Sequence, residues 1–103
     1  MKAASILLVD DDAAFRQVMA SELARCGYGI DAVGTGEEAI QRIKAAEPEV
    51  VLLDLRLPGM GGLETLKAIE ALTPGIEVIM LTGHGSIDSA IESIRMGAFD
   101  YVV

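Results

Sequence analysis

The sequence predicts an α/β fold: five parallel strands in the order 2-1-3-4-5, with helices wound on both faces of the sheet. Three observations lead there. Short aliphatic runs alternate with stretches whose apolar residues recur at three- and four-residue spacing, the signature of strand and helix in turn. The runs at residues 6–9 (ILLV), 50–53 (VVLL) and 78–81 (VIML) are apolar at every position, as in strands buried on both faces. Parallel neighbours need right-handed crossovers, and the weaker second strand belongs at an edge. The 103 residues form one domain, 1–103.

Residues 5–9 make the first strand, and Asp12 stands where a helix N-cap belongs. Phe15, Val18, Met19, Leu23 and Cys26 mark the buried face of the first helix, and Gly27 ends it in a left-handed cap. Cys26 and Met19 read as core residues. Residues 28–33 are the edge strand. Thr35 and Glu38 form a T-x-x-E capping box for a helix that turns Ala39, Ile40 and Ile43 inward and stops before Pro48. Residues 50–54 are the third strand, followed by the turn-rich loop Leu55-Arg56-Leu57-Pro58-Gly59-Met60-Gly61-Gly62. Leu63, Leu66, Ile69 and Leu72 are the inward face of the next helix, ended by Thr73-Pro74-Gly75. Residues 76–81 form the fourth strand. The loop Thr82-Gly83-His84-Gly85 leads to a helix capped by Ser86, carrying Ile87, Ala90, Ile91 and Ile94 inward and closed by Gly97. Residues 99–103 are the fifth strand.

Net charge is −8 and the sequence pI about 4.4. This balance disfavours direct contact with nucleic acid or an anionic membrane and favours cations and basic partners. Hydrophobic residues make up 51% of the chain, with mean hydropathy +0.43, which excludes a disordered segment. A single cysteine rules out an internal disulfide and suggests no zinc cluster. The sequence shows no signal peptide and no membrane span, so the expected location is cytoplasmic.

The order 2-1-3-4-5 is that of flavodoxin-like sheets, whose ligands sit at the carboxyl ends of strands one and three. The apolar runs end there in Asp10, Asp11 and Asp12 and in Asp54, and the fourth strand ends in Thr82. Crowded carboxylates raise one another's pKa unless a cation neutralises them. Magnesium suits such oxygen donors, since it takes one or two carboxylates together with water and phosphate oxygens. Asp54, alone at its strand end, is placed to attack phosphorus and form an aspartyl phosphate. Thr82 offers a hydroxyl to a phosphoryl oxygen. Taken singly, Asp10 to Asp12 are also compatible with a helix start, Asp54 with a loop cap and Thr82 with an ordinary loop hydroxyl.

The segments LLVDDDAAFR (7–16), VVLLDLRLPGMGGLE (50–64), VIMLTGHGSIDSAI (78–91) and GAFDYVV (97–103) resemble the receiver domain of two-component response regulators. The stretch TGHGSIDSAIESIRMGAFDYVV (82–103) looks most like receivers of sigma-54-dependent, NtrC-type transcription activators. The resemblance implies that Asp54 accepts phosphate from a sensor histidine kinase. It implies that Mg2+ is held by Asp10, Asp11, Asp54 and the backbone carbonyl of Arg56. It makes Thr82 the switch hydroxyl and Tyr101 the switch aromatic, with Arg56 and His84 where side chains tune phosphate lifetime. It further implies an output domain or downstream protein as partner, reached through the fourth helix and fifth strand, and allows a homodimer. Such a domain is a phospho-acceptor that assists its own modification, not an enzyme acting on a separate substrate.

Two positions depart from the family pattern. Gly61 stands where an acid is usual, and the residue after Val103 is where the family's lysine would follow. The family's last helix would lie beyond that, so the domain is expected to be incomplete at its C-terminus. Three other readings compete. One is a receiver-like interaction module that works without phosphate. Another is a dinucleotide site, because residues 34–39 (GTGEEA) fit G-x-G-x-x-A with Asp54 in place of a ribose-binding acid. The capping box already accounts for that segment, and Glu37 and Glu38 would face the pyrophosphate. The third, an aspartate-nucleophile phosphatase, wants a second acid where Arg56 stands.

Overall fold

A computed structural model describes residues 4–81 and the strand at 100–102, the latter by its backbone. The elements are β1 (Ser5–Val9), α1 (Ala13–Arg25), β2 (Gly29–Val33), α2 (Gly36–Ala45), β3 (Val50–Asp54), α3 (Gly62–Leu72), β4 (Glu77–Leu81) and β5 (Asp100–Val102). The strands pair in parallel as β2-β1-β3-β4-β5, the expected order. The helix expected over residues 86–97 and the loop before it lie outside the described residues.

Helix ends follow the local chemistry of the sequence. Asp12 accepts a hydrogen bond from the Phe15 N–H at 3.1 Å and so caps α1. At the other end Gly27 takes φ +95°, where a side chain would be strained. There Gly27 N–H donates to Ala24 O at 3.0 Å and Tyr28 N–H to Leu23 O at 3.2 Å, the paired bonds of a Schellman cap. Thr35 Oγ1 accepts from Glu38 N–H at 3.1 Å and donates to the Glu38 carboxylate at 3.3 Å. The expected box is thus present, with its return bond on the hydroxyl.

The main core lies on one face of the sheet. Leu7, Val9, Val51, Leu53, Val78 and Met80 point from alternate strand positions onto Ala39 and Ile43 of α2 and Leu66 and Ile69 of α3. On the other face α1 lies across β1 and β2, and Ile6 and Leu8 are buried there. β1 is therefore buried on both faces, as expected. β3 and β4 are less so: Leu52 and Ile79 are half-buried.

The inward face expected for α1 needs correction. None of its residues is fully buried. Phe15 is 38% and Val18 64% exposed, and Cys26 is exposed as well. Met19 and Leu23 are half-buried. Among the described residues α1 packs mainly on β2 and β1, and these leave part of its apolar stripe uncovered. In α3, Leu72 is 43% exposed in the last turn and Leu63 half-buried, whereas Thr65 is wholly buried. No helix among the described residues is long and apolar enough to cross a membrane.

Candidate functional site

The register brings the carboxyl ends of β1 and β3 side by side. Val9 pairs with Leu53 on one side and Val33 on the other, so Asp10 and Asp54 follow at neighbouring strand ends. Asp10 N–H still donates to Val33 O at 3.1 Å, which extends the strand geometry to the first acid. The chain then turns, and Asp12 N–H donates to Asp10 Oδ1 at 2.9 Å.

The three acids in a row divide their work. The Asp12 carboxylate is committed to capping α1. Asp10, Asp11 and Asp54 converge, each offering an oxygen within 4.8 Å of the others. Among the described residues they are the one group of three acidic, cysteine or histidine side chains that does so. Asp10 and Asp54 are half-buried and Asp11 is exposed, so the cluster opens to solvent on one side.

Asp54 is held by its own loop and by β4. Leu55 N–H donates to Leu81 O at 3.1 Å, and Arg56 N–H donates to Asp54 Oδ1 at 3.1 Å. Gly62 closes the loop by donating to Leu55 O at 3.1 Å. A Cβ on Gly62 would lie 2.5 Å from Asp54 O and 2.6 Å from Leu55 Cα, so only glycine lets α3 begin this close to the end of β3. Gly61 serves as N-cap of α3 without a side-chain bond.

Burial pushes the Asp54 carboxyl above its ordinary range. The Arg56 N–H opposes this, while the charges of Asp10 and Asp11 and the nearby Asp10 carboxyl add to it. A divalent cation would relieve the cost of ionising Asp54 here. The donors are all hard oxygens, so the residues present fit magnesium.

Of the expected site residues, the structure thus brings together Asp10, Asp11 and Asp54, with Arg56 two residues beyond Asp54 and exposed. Thr82 and His84 lie outside the described residues. Tyr101 lies in β5, paired with Met80 of β4. The glycines of the dinucleotide-like segment have other uses. Gly34 makes room for the Arg16 guanidinium, and Gly36 packs against Thr65 and Met60. Arg16 was not legible as part of the site, although its Nη1 donates to Asp10 O at 2.8 Å. Its only signal is a cation one turn inside the helix that follows the acids.

Comparison with known proteins agrees with this geometry. The family model for the response regulator receiver domain matches residues 6–103. Regulatory protein LuxO of Vibrio vulnificus (strain YJ016) is 42% identical over 96 residues, covering 93% of this chain and 21% of its own length. NtrX from Brucella abortus superposes with a TM-score of 0.90 at 36% identity, over 96% of this chain and 22% of that one. A CheY-like receiver domain protein from Methanospirillum hungatei JF-1 gives a TM-score of 0.93 at 33% identity, over 97% and 80%. The chain thus spans about a fifth of the length of the curated relatives it matches. On fold, strand-end chemistry and family match together, this chain belongs to the response regulator receiver domains of two-component systems.

Proposed function

We propose that residues 1–103 form a receiver domain in which Asp54 accepts a phosphoryl group from a sensor histidine kinase. The observation that carries this reading is the convergence of Asp10, Asp11 and Asp54 within 4.8 Å at one sheet edge. The Asp54 carboxylate oxygen attacks phosphorus, the phosphorus–nitrogen bond of the donor phosphohistidine breaks, and the imidazole leaves with the bonding pair and takes a proton. Asp10, Asp11, Asp54 and the Arg56 carbonyl would hold Mg2+, which supplies positive charge against the incoming phosphoryl oxygens. Asp12 stays outside this set because its carboxylate caps α1.

Thr82 is the hydroxyl that follows the phosphoryl group, and Tyr101 the aromatic that responds. Arg56 and His84 tune how long the phosphate persists. The response passes through the segment between β4 and β5 to an output domain or downstream protein. A transcriptional output is supported by relatives such as transcriptional regulatory protein ZraR of Escherichia coli (strain K12), 35% identical over 98 residues. The partly open face around Leu52, Ile79, Phe15 and Val18 supports further covering of this side by chain or partner, including a second copy. A cytoplasmic location accords with partners of this kind.

Intact-mass analysis after incubation with acetyl phosphate tests the reading. With Mg2+ the chain gains one phosphoryl group, and with EDTA it gains none. A chain that binds Mg2+ yet stays unmodified would favour a phosphate-independent interaction module instead.

A further inference from the structure

We propose that Arg16 is a positioning residue for the metal site, clamping the turn that presents Asp10 and Asp11. The inference rests on the proposed Mg2+ site. The backbone of Asp10 is held at both of its polar groups. Its N–H donates to Val33 O at 3.1 Å, and its carbonyl accepts from Arg16 Nη1 at 2.8 Å. Arg16 reaches back across six residues from α1, half-buried, so the clamp ties the helix to the strand end on either side of the acidic turn. The Asp10 carboxylate is fixed in turn by the Asp12 N–H at 2.9 Å. Rotation of the Asp10 carbonyl would swing the following peptide and with it Asp11, whose exposed side chain follows the turn.

The clamp has a second half on the neighbouring crossover. A Cβ built on Gly34 would stand 2.9 Å from Arg16 Nη1 and 3.5 Å from Cζ. The φ of Gly34 is not in the left-handed region, so alanine there is tolerated by the backbone. What alanine would disturb is the guanidinium, whose Nη1 must shift from the position in which it bonds the Asp10 carbonyl. Glycine at the end of β2 thus leaves space for the arginine from α1.

Position and charge predict opposite signs. Removing a cation beside an acidic site should by electrostatics alone tighten Mg2+ binding. Removing a clamp that orients the ligands should weaken it, and outer contacts of this kind typically contribute about tenfold or more to metal affinity. The test is Mg2+ titration by calorimetry on the full chain, wild type against Arg16→Ala, Gly34→Ala and the double variant. Metal-free thermal melts confirm that each variant is folded. The expected result is binding about tenfold weaker in Arg16→Ala and weaker in Gly34→Ala. The double variant should be no weaker than Arg16→Ala, since the alanine at 34 then has nothing to displace. Unchanged or tighter binding in folded Arg16→Ala overturns the clamp, as do fully additive losses. Should the wild-type chain bind no Mg2+, the metal-site reading fails and takes the clamp with it.

Discussion

The two ends of the same sheet both carry acids, but only one of them gathers its acids into a site. At the carboxyl ends of the strands Asp10, Asp11 and Asp54 converge within 4.8 Å. At the amino ends Glu47, Glu49 and Glu77 line one shallow depression, and all three are exposed. Glu47 accepts a hydrogen bond from the Thr73 hydroxyl, while Glu49 precedes β3 and Glu77 starts β4, the two joined through the backbone, Glu77 N–H to Glu49 O at 3.4 Å. Solvated acids of this kind carry net charge and little else. The carboxyl-end acids are gathered because the short turn Asp10–Asp12 follows β1 and a glycine-closed loop follows β3. Chemistry at this edge comes from convergence and partial burial, not from the number of negative charges.

The sharpest way to break this contrast is to remove one oxygen at each end. Asp54→Asn should abolish phosphoryl acceptance, whereas Glu49→Gln and Glu77→Gln should leave it unchanged, as read by intact mass. Next in size is the metal itself. Asp11→Asn should weaken Mg2+ binding at least about tenfold in a calorimetric titration that the same two glutamine variants leave unmoved.

Stability should separate the two ends with opposite sign in metal-free and metal-loaded protein. Burial, with help from Asp10 and Asp11, holds the Asp54 carboxyl above its ordinary range. An acid with a raised pKa in the folded state disfavours folding when ionised. The stability it permits is fully present below the ordinary carboxylate pKa and is lost as pH rises through the higher folded value. Without metal at neutral pH, Asp54→Asn should therefore melt a few degrees above wild type. With saturating Mg2+ the order should reverse, because wild type gains binding free energy that the variant lacks.

The smallest effect concerns Gly61 at the edge of the site. It caps α3 without a side-chain bond, and a Cβ there would meet nothing within 4 Å. Gly61→Asp should add a cap and raise stability by only a few tenths of a kcal/mol, visible as a small upward shift of the thermal midpoint.

Much of this was legible in the sequence because strands and caps are local. The runs at 6–9 and 50–53, the Asp12 and Thr35 caps and the Gly27 terminator each follow from neighbouring residues, and the parallel order follows from their alternation. The meeting of Asp10 with Asp54 was legible for the same reason: both end aliphatic runs that the topology sets side by side. The face of α1 was not. Apolar spacing says that Phe15, Val18 and Cys26 share a helix, but how much of that helix is covered depends on which strands lie under it. Thr65 was hidden for a different reason. Its hydroxyl is satisfied within its own helix, donating to Gly61 O at 2.8 Å, so a polar residue can fill a core position that a search for apolar periodicity passes over. Arg16 was hidden because its partner is a backbone carbonyl, which leaves no mark in residue type.

The division of labour among the acids is tested most directly by locating the phosphoryl group. After reaction with acetyl phosphate and Mg2+, the chain would be digested and fragmented, and the modified residue read from the spectra. The expected result is a single modification at Asp54, absent from Asp54→Asn, with Asp10, Asp11 and Asp12 unmodified. A phosphoryl group on any of those three acids, or one retained in Asp54→Asn, would contradict the assignment of Asp54 as acceptor and of Asp10 and Asp11 as metal ligands.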